Sequence, residues 1–182
     1  MKLMIASDLH GSAFYCKKMI ETFNKEKADK LLLLGDLLYH GPRNDLPKDY
    51  APKEVIPMLN GLKDRILCVR GNCEAEVDQM VLEFPVLADY CVIPFGNNAI
   101  YATHGHIYNE ENLLPMQKGD ILLNGHTHVA KCVNYGDYIY MNPGSVTMPK
   151  ENSVCSYMIF DGDCFSWRKL EDGTEYMTWR VK

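Results

Sequence analysis

Apolar and polar positions follow two different periods along the first half of the chain. Leu3–Ala6, Leu31–Leu34 and Ile66–Val69 are short, continuous apolar runs, which are typical of buried β-strands. Between the first two runs, Ser12 fits a helix N-cap and is followed by apolar residues at three- and four-residue spacing. That apolar face consists of Ala13, Cys16, Met19, Ile20 and Phe23. A second helix is predicted around Pro52–Asn60, so the order of elements predicts parallel strands joined by right-handed crossovers.

Short strands separated by turn residues dominate the second half. Three pairs of segments flank a Gly-containing turn, which predicts β-hairpins. The pairs are Tyr90–Pro94 with Ala99–Ala102, Val129–Asn134 with Tyr138–Met141, and Cys155–Phe160 with Cys164–Lys169. Ile121–Leu123 is a further apolar run. We therefore predict an α/β fold in which two mixed β-sheets pack face to face, with helices outside, as a single domain over residues 1–182.

One irregular segment, residues 39–51, contains Gly41, Pro42 and Pro47 and is predicted to be a loop. Long loops beside a site often act as lids or determine specificity. A solvated connection explains the same composition equally well.

Composition and charge narrow the classes of function. The 182 residues carry a net charge of −5, which argues against broad nucleic-acid binding because that requires clustered Lys and Arg. No apolar stretch is long enough to span a membrane, and Met1–Ser7 is too short for a signal peptide. The seven cysteines are odd in number and form no CxxC pair, which indicates free thiols in a reducing compartment. The expected location is the cytoplasm.

Metal-binding residue types begin where five of the apolar runs end. The segments are Asp8-Leu9-His10, Gly35-Asp36, Gly71-Asn72-Cys73-Glu74, His104-Gly105-His106 and Gly125-His126-Thr127-His128. Residues that follow parallel strands meet at the carboxyl edge of a sheet. Carboxylate, amide and imidazole ligands suit Mn, Fe, Ni, Co or Zn in an open catalytic site. The sequence therefore points to a metal-dependent hydrolase.

Each of these segments is a weak signal when taken alone, and the specificity lies in their order. A lone Asp-x-His or His-x-His is more often an incidental arrangement than a metal site. His106 fits either a contact to a ligand residue or a contact to substrate, and His40, inside the loop, fits a bystander.

The ordered set resembles the signature of the calcineurin-like metallophosphoesterases, D-x-H…G-D…G-N-H-[DE]…H…G-H-x-H, from Asp8 to Ser145. The compact length and the segment His40-Gly41-Pro42-Arg43-Asn44 are most similar to the small YfcE-type bacterial phosphodiesterases. The resemblance implies a four-layer α/β/β/α sandwich and a dinuclear phosphodiesterase that hydrolyses a small phosphate diester through a metal-bridging hydroxide. Its cofactors would be two divalent ions, with Mn²⁺ preferred over Zn²⁺, Fe²⁺, Ni²⁺ or Co²⁺.

The resemblance implies two sets of metal ligands, which fall on the residues of this chain that match the family signature. One metal would take Asp8, His10, Asp36 and His128, and the other would take Asp36, Asn72, His104 and His126. The expected catalytic residues are Asp36, Asn72, Cys73 and His106. Cys73 departs from the family, which has a His here that assists the leaving group or the transition state. A thiol is a weak hydrogen-bond donor, so Cys73 either alters the range of substrates or has no role in the reaction.

Three other functions fit the same scaffold. A phosphomonoesterase would use the same metals. A protein-binding scaffold of the retromer-subunit type would have eroded ligands, but all ligand positions are intact here. A DNA nuclease of this fold would be longer and more basic. Small relatives are often dimers or tetramers, so the resemblance also suggests a homo-oligomer.

Overall fold

Eleven β-strands in two sheets, three α-helices and one 3₁₀-helix (Lys63–Arg65) make up the computed structural model, which describes residues 1–181. The helices are α1 (Ala13–Glu26), α2 (Pro52–Asn60) and α3 (Glu76–Val81). The strands are β1 (Leu3–Ala6), β2 (Lys30–Leu33), β3 (Ile66–Cys68), β4 (Tyr90–Phe95), β5 (Asn98–Thr103), β6 (Asp120–Leu123), β7 (Ala130–Asn134), β8 (Tyr138–Pro143), β9 (Ser156–Phe160), β10 (Cys164–Lys169) and β11 (Glu175–Arg180).

The first sheet has the strand order β11-β10-β9-β1-β2-β3. Strands β1, β2 and β3 are parallel, as predicted, and β9 to β11 continue the sheet as antiparallel strands. Leu31–Leu33 is fully buried because the helices cover one face of this sheet and the second sheet covers the other. The predicted N-cap is confirmed, since the Ser12 hydroxyl accepts a hydrogen bond from Tyr15 N at 3.2 Å.

The second sheet has the strand order β4-β5-β6-β8-β7. Its two predicted hairpins, β4–β5 and β7–β8, are confirmed as antiparallel pairs. The apolar run Ile121–Leu123 lies in β6, which pairs in parallel with both β5 and β8. The carboxyl ends of β5, β6 and β8 therefore lie at one edge of the second sheet.

The two sheets pack face to face through an apolar cluster, which confirms the predicted arrangement. Ile5 and Leu32 of the first sheet share this cluster with Ile121 and Met141 of the second. The Trp167 indole adds a polar link across the sheets, with Nε1 donating to Asn142 O at 2.7 Å.

Helices α1 and α2 pack on the outer face of the first sheet. On the outer face of the second sheet, the described residues form an irregular segment, 104–119, in place of a helical layer. Its Tyr108 ring lies 5.8 Å from that of Tyr90, and Glu110 pairs with Lys131 at 3.1 Å. Gly105, Pro115 and Gly119 interrupt this crossover, and such residues disfavour a helix.

Three elements are not predicted by the sequence: the edge strand β11, the short helix α3 and the 3₁₀-helix Lys63–Arg65. Residues 39–51 form a loop as predicted, apart from one isolated bridge between Tyr50 and Ser12. Within residues 1–181, no helix has the length and apolarity needed to cross a membrane. The single domain over 1–182 stays a prediction, and its last residue lies outside the described part of the chain.

Candidate metal centre

The carboxyl ends of the parallel strands bring the candidate ligands together. Asp8 follows β1, Asp36 follows β2 and Asn72 follows β3 in the first sheet. From the second sheet, His104 directly follows β5, and the pair His126 and His128 follows β6. The convergence expected from the sequence is therefore what the fold produces.

The backbone at this edge adopts conformations that non-glycine residues rarely take. The φ angles of five candidate ligands lie between 50° and 65°. These residues are Asp8, His10, Asp36, His126 and His128. Left-handed backbone at non-glycine residues costs about 1–3 kcal/mol each and tends to cluster at functional sites. The fold thus holds these side chains in place against their local preference.

The first group of ligands consists of Asp8, His10 and His128. The Nε2 atoms of the two histidines lie 3.3 Å apart, and Asp8 Oδ1 lies 3.2 Å from His128 Nε2. Each ring directs Nδ1 at a backbone carbonyl, Tyr39 O at 2.9 Å for His10 and Met148 O at 2.7 Å for His128. Because a carbonyl only accepts, each Nδ1 carries the proton and each Nε2 presents a lone pair in the neutral ring.

These facing lone pairs create a place that a cation would fill. Asp8 Oδ1 is buried and has no hydrogen-bond partner among the described residues. Burial would raise the pKa of Asp8, but the adjacent His10 and His128 outweigh it and hold that pKa well below its usual range. Asp8 is therefore a carboxylate. Burial lowers the pKa of His10, but the contacts with Asp8 and Asp36 outweigh it and raise that pKa, and a metal ion would take the place of the proton.

The second group consists of Asn72, His104 and His126. His104 Nδ1 donates to Leu34 O at 2.6 Å, which leaves its Nε2 as a lone pair. That Nε2 lies 3.1 Å from Asn72 Oδ1 and 3.1 Å from His126 Nδ1. Burial and the nearby His104 lower the pKa of His126, which keeps its ring neutral. Three acceptor atoms thus converge here as well.

Asp36 lies between the two groups and faces both. Its Oδ2 is 3.6 Å from His10 Nε2, and its Oδ1 is 3.5 Å from His104 Nε2. The backbone N of Cys73 donates to Oδ1 at 2.9 Å. The approach of Gly71 is so close that a Cβ there would overlap the Asp36 carboxylate. The geometry agrees with the expectation that one carboxylate is shared between two ligand sets.

Glu74 fixes the loops that carry Asp36 and Asn72, and sequence reasoning did not select it. Its carboxylate accepts hydrogen bonds from three backbone amides: Asp36 N at 2.8 Å, Leu37 N at 2.7 Å and Gly71 N at 2.5 Å. Burial and the charge of Asp36 raise the pKa of Glu74 to about 7, against the effect of those amides. Its match to the acidic position of the family signature, at the end of the Gly71–Glu74 segment, was the signal in the sequence.

Cys73 lies beside the shared carboxylate. Its Sγ falls within 4.8 Å of ligand atoms of His10 and Asp36, and Asn72 Nδ2 donates to Sγ at 3.3 Å. Burial, together with the charge of Asp36, raises the pKa of the Cys73 thiol. The side chain is therefore a neutral thiol facing the site.

His106 is next to the second group but outside it. Its ring centroid lies 5.4 Å from that of His104 and 6.4 Å from that of His126. Burial, with the nearby His104, His126 and Arg70, lowers the pKa of His106 to about 4. Its buried Nδ1 has no partner among the described residues. This position is consistent with either predicted contact of His106, to a ligand residue or to substrate, and its catalytic role stays a prediction.

His40 lies apart from both ligand groups. Its ring packs edge-on between Tyr39 and Tyr50, at centroid distances of 4.8 and 5.2 Å. The interpretation of His40 as a bystander in metal binding agrees with this packing.

A cleft of about 480 Å³ opens above the ligands. Its floor includes His10, Asp36 and His128, and Cys73 lies on its wall. The lining also includes the loop residues Gly41–Asn44 together with Thr127 and Lys150. The larger groove beside α1, about 710 Å³, contains none of the candidate ligands.

Comparison with known proteins gives consistent matches along the chain. A family profile described as the calcineurin-like phosphoesterase superfamily domain matches residues 1–163. Phosphodiesterase YfcE of Escherichia coli strain K12 is 42% identical over 172 residues, which is 94% of each chain. The solved structure of E. coli YfcE, a phosphoesterase, matches with a TM-score of 0.97 and 40% identity over the whole of both chains.

More distant structures share the fold. Vps29 of Entamoeba histolytica, solved in complex with Zn²⁺, matches over the whole of both chains with a TM-score of 0.60 and 20% identity. At that identity the match shows a common fold and carries nothing about activity.

Proposed function

This chain belongs to the calcineurin-like phosphoesterase superfamily and is a metal-dependent phosphoric ester hydrolase, and we propose that it is a dinuclear phosphodiesterase. Its substrates would be small phosphate diesters. The similarity to the E. coli phosphodiesterase supports the diester activity, since that relative covers 94% of the chain at 42% identity.

One observation carries the dinuclear proposal: two groups of converging lone pairs lie on either side of Asp36. The proposed ligands of the first metal are Asp8, His10, Asp36 and His128. The proposed ligands of the second are Asp36, Asn72, His104 and His126. Each group needs a cation to offset its facing acceptors, and a single carboxylate faces both.

The donor set supports Mn²⁺ as the preferred ion. The ligands are carboxylate and amide oxygens with imidazole nitrogens, and no thiolate is required. Zn²⁺, Fe²⁺, Ni²⁺ and Co²⁺ tolerate the same donors, so each should support some activity.

A pair of divalent ions, when bound, would lower the pKa of a water molecule and polarise the phosphoryl oxygens for in-line displacement. The protein's contribution is to hold its ligands. Carbonyl oxygens of Tyr39, Met148 and Leu34 fix three imidazole rings, and Glu74 fixes the Asp36 loop. No protein nucleophile is required.

Two further residues act on the substrate side in this proposal. Asn72 is exposed at the cleft, so its amide Nδ2 can reach a substrate oxygen while Oδ1 faces His104. Cys73 stands where the family has an imidazole, and its neutral thiol is a weak donor to a departing alkoxide. The enzyme should therefore favour diesters whose leaving group departs easily.

A metal-by-substrate activity matrix tests the proposed function. Metal-free protein would be reloaded with Mn²⁺, Zn²⁺, Co²⁺ or Ni²⁺ and assayed on bis(p-nitrophenyl) phosphate and on p-nitrophenyl phosphate. We expect no turnover without metal, the highest turnover with Mn²⁺, and faster hydrolysis of the diester. Full turnover by the chelated protein would contradict the metal chemistry.

Phosphomonoesterase activity is the second candidate, because the two ligand groups would hold the same metals for a monoester as for a diester. Faster release of p-nitrophenol from the monoester in the same matrix would favour it. A cytoplasmic location and a homo-oligomeric state stay predictions.

A further inference from the structure

We infer that Arg43 and Lys150 form an anion-binding subsite at the mouth of the cleft, for substrates whose second alcohol carries an additional phosphate or carboxylate. This inference rests on the proposed phosphodiesterase function and names its substrate class. The two side chains come from different loops, one after β2 and one after β8, and both line the cleft above the ligand groups.

Neither cation has a protein partner. Among the described residues, no carboxylate lies within ion-pair distance of Arg43 or Lys150, although acidic residues outnumber basic ones in the chain, 24 to 19. By contrast, Arg70 at the neighbouring strand end pairs with Asp89 at 2.6 Å. Most Lys and Arg side chains among the described residues also lack such a partner, so what distinguishes this pair is that both line one cleft, where a charged ligand can supply the counter-charge.

The backbone presents both side chains to the cleft. Asn44 N donates to Gly41 O at 3.3 Å and Asn44 Nδ2 donates to His40 O at 2.9 Å, which closes the turn that carries Arg43. Gly41 has a φ of +80°, a conformation that glycine adopts without strain.

Lys150 is anchored directly to a proposed ligand residue. Its backbone N donates to His128 O at 3.1 Å, and Ser153 N donates to Lys150 O at 2.9 Å. Glu151 and Asn152 between them have left-handed φ angles of 49° and 63°. The turn that holds Lys150 is therefore fixed relative to the metal centre, although the side chain itself is exposed.

Charge balance places the anion of this subsite away from the reacting phosphate. If two divalent ions are bound, Asp8 and Asp36 would supply two of the four negative charges that balance them, and the diester and a deprotonated water would supply the other two. The ligand side chains are buried at the floor, whereas Arg43 and Lys150 are exposed at the mouth. Their two positive charges can therefore bind a charged group on the second alcohol of the diester rather than the reacting phosphate.

The test compares diesters that share a p-nitrophenyl leaving group and differ only in the second alcohol. That alcohol is ethanol, 3-hydroxypropanoate or 2-phosphoethanol. The three diesters thus compare a neutral group, a carboxylate and a phosphate at the same position. For the Mn²⁺-loaded protein we expect kcat/KM to be highest for a charged diester. Raising the salt concentration should reduce that preference, because exposed charges are screened within about 8 Å at physiological ionic strength.

Substitutions at the two positions should alter selectivity rather than basal activity. Lys150→Met and Arg43→Gln should each lower the charged-to-neutral ratio of kcat/KM by about 3- to 10-fold, the range of a charge-assisted contact that is open to solvent. The ethyl diester should be hydrolysed at the wild-type rate. Matched controls are Lys53→Met and Arg180→Gln, which remove exposed, unpaired charges outside the cleft and should change nothing.

Equal losses on neutral and charged diesters would overturn the inference, because they would place both cations on the reacting phosphate. Absence of any charge preference in the wild-type protein would overturn it too. Failure of the proposed function is distinguishable, since it would abolish hydrolysis of the ethyl diester as well. In that case, calorimetry would measure the binding of ethyl phenylphosphonate and of 2-carboxyethyl phenylphosphonate to the metal-loaded protein. Tighter binding of the charged ester that is lost in Lys150→Met would support the subsite. Equal binding of the two esters would refute it.

Discussion

The two ligand groups that share Asp36 differ in burial and in how firmly they are held. In the first group the carboxylate and both imidazoles are at most 3% exposed, and a backbone carbonyl fixes each ring. In the second group Asn72 is exposed and His126 is half-buried. His126 faces its group through Nδ1 rather than Nε2. Its Nδ1 therefore does not donate to a backbone carbonyl, as the Nδ1 atoms of the other three rings do.

This difference indicates a division of labour between the two proposed metals. The first group contributes its own carboxylate, Asp8, whereas the second contributes a neutral amide, Asn72. Ligand charge and rigidity both increase the affinity of an oxygen-rich metal site. We expect the first metal to bind tightly and act mainly as an anchor. The second should bind more weakly and leave open positions toward the cleft, where the substrate enters.

The largest expected effect comes from the residue that belongs to both groups. Asp36→Asn removes the shared charge, so the binding of both metals should be weakened. Loss of a residue that only supports a metal ligand costs up to about 100-fold, so loss of this shared ligand should lower kcat/KM by more than that. His40→Ala serves as the control and should retain its metal content. Metal analysis after dialysis checks both variants, and equal metal loss in the two would show that Asp36 has been misassigned.

Variants confined to one group should separate the two metals. Asp8→Asn leaves the buried imidazoles of the first group without their carboxylate, so this variant should lose the tightly bound metal. Asn72→Ala should keep that metal and lose only the weaker one. Retained metal would be counted by inductively coupled plasma mass spectrometry after identical dialysis. Equal amounts of retained metal in the two variants would contradict the proposed difference between the two groups.

Part of this site could be predicted from sequence because its signals are local. The ligand types stand directly after apolar runs, and the parallel order of β1, β2 and β3 predicts a common edge. Other contributions depend on tertiary contacts that leave no local pattern. Glu74 acts through backbone amides of distant loops, and Lys150 reaches the cleft only because its turn hydrogen-bonds to His128.

The fold shows the same division between local and tertiary signals. The boundaries of β1 and of α2 were predicted because an apolar period and a Pro start mark them in the sequence. Strand β11 was missed because Glu175–Arg180 is an exposed edge in which only alternate residues such as Met177 and Trp179 pack inward. Helix α3 was missed because it is only six residues long, and its apolar residues Val77, Met80 and Val81 are exposed instead of packing in the core.

A glycine substitution tests how closely the segment after β3, in the first sheet, supports Asp36. An added methyl at Gly71 would overlap the Asp36 and Glu74 carboxylates. Gly71→Ala should therefore lower the free energy of unfolding by about 1–3 kcal/mol, the usual range for overpacking, and should weaken both metals. The matched control is Gly61→Ala, where a Cβ meets nothing closer than 3.4 Å and φ is −61°. Thermal unfolding and metal content should distinguish the two, and equal melting temperatures would contradict the close approach.

The smallest expected effect concerns the substrate side of the centre. Cys73→His supplies an imidazole where the protein has a neutral thiol, so rates should rise for poor leaving groups and change little for good ones. General acid assistance typically contributes about 10²–10⁴-fold where it is fully developed, and a gain below that range is expected at a position not built for imidazole. The measurement is the slope of log kcat/KM against leaving-group pKa for both proteins. Identical slopes would mean that Cys73 is a bystander.

The most direct test of the dinuclear centre is a titration of metal-free protein with Mn²⁺, in which bound metal and diesterase activity are measured in the same samples. The first equivalent should bind tightly and give little activity. Activity should rise only as the second, weaker equivalent binds, and it should level off at two ions per chain. Full activity at one equivalent would contradict the proposal that two metals sharing Asp36 carry out the hydrolysis.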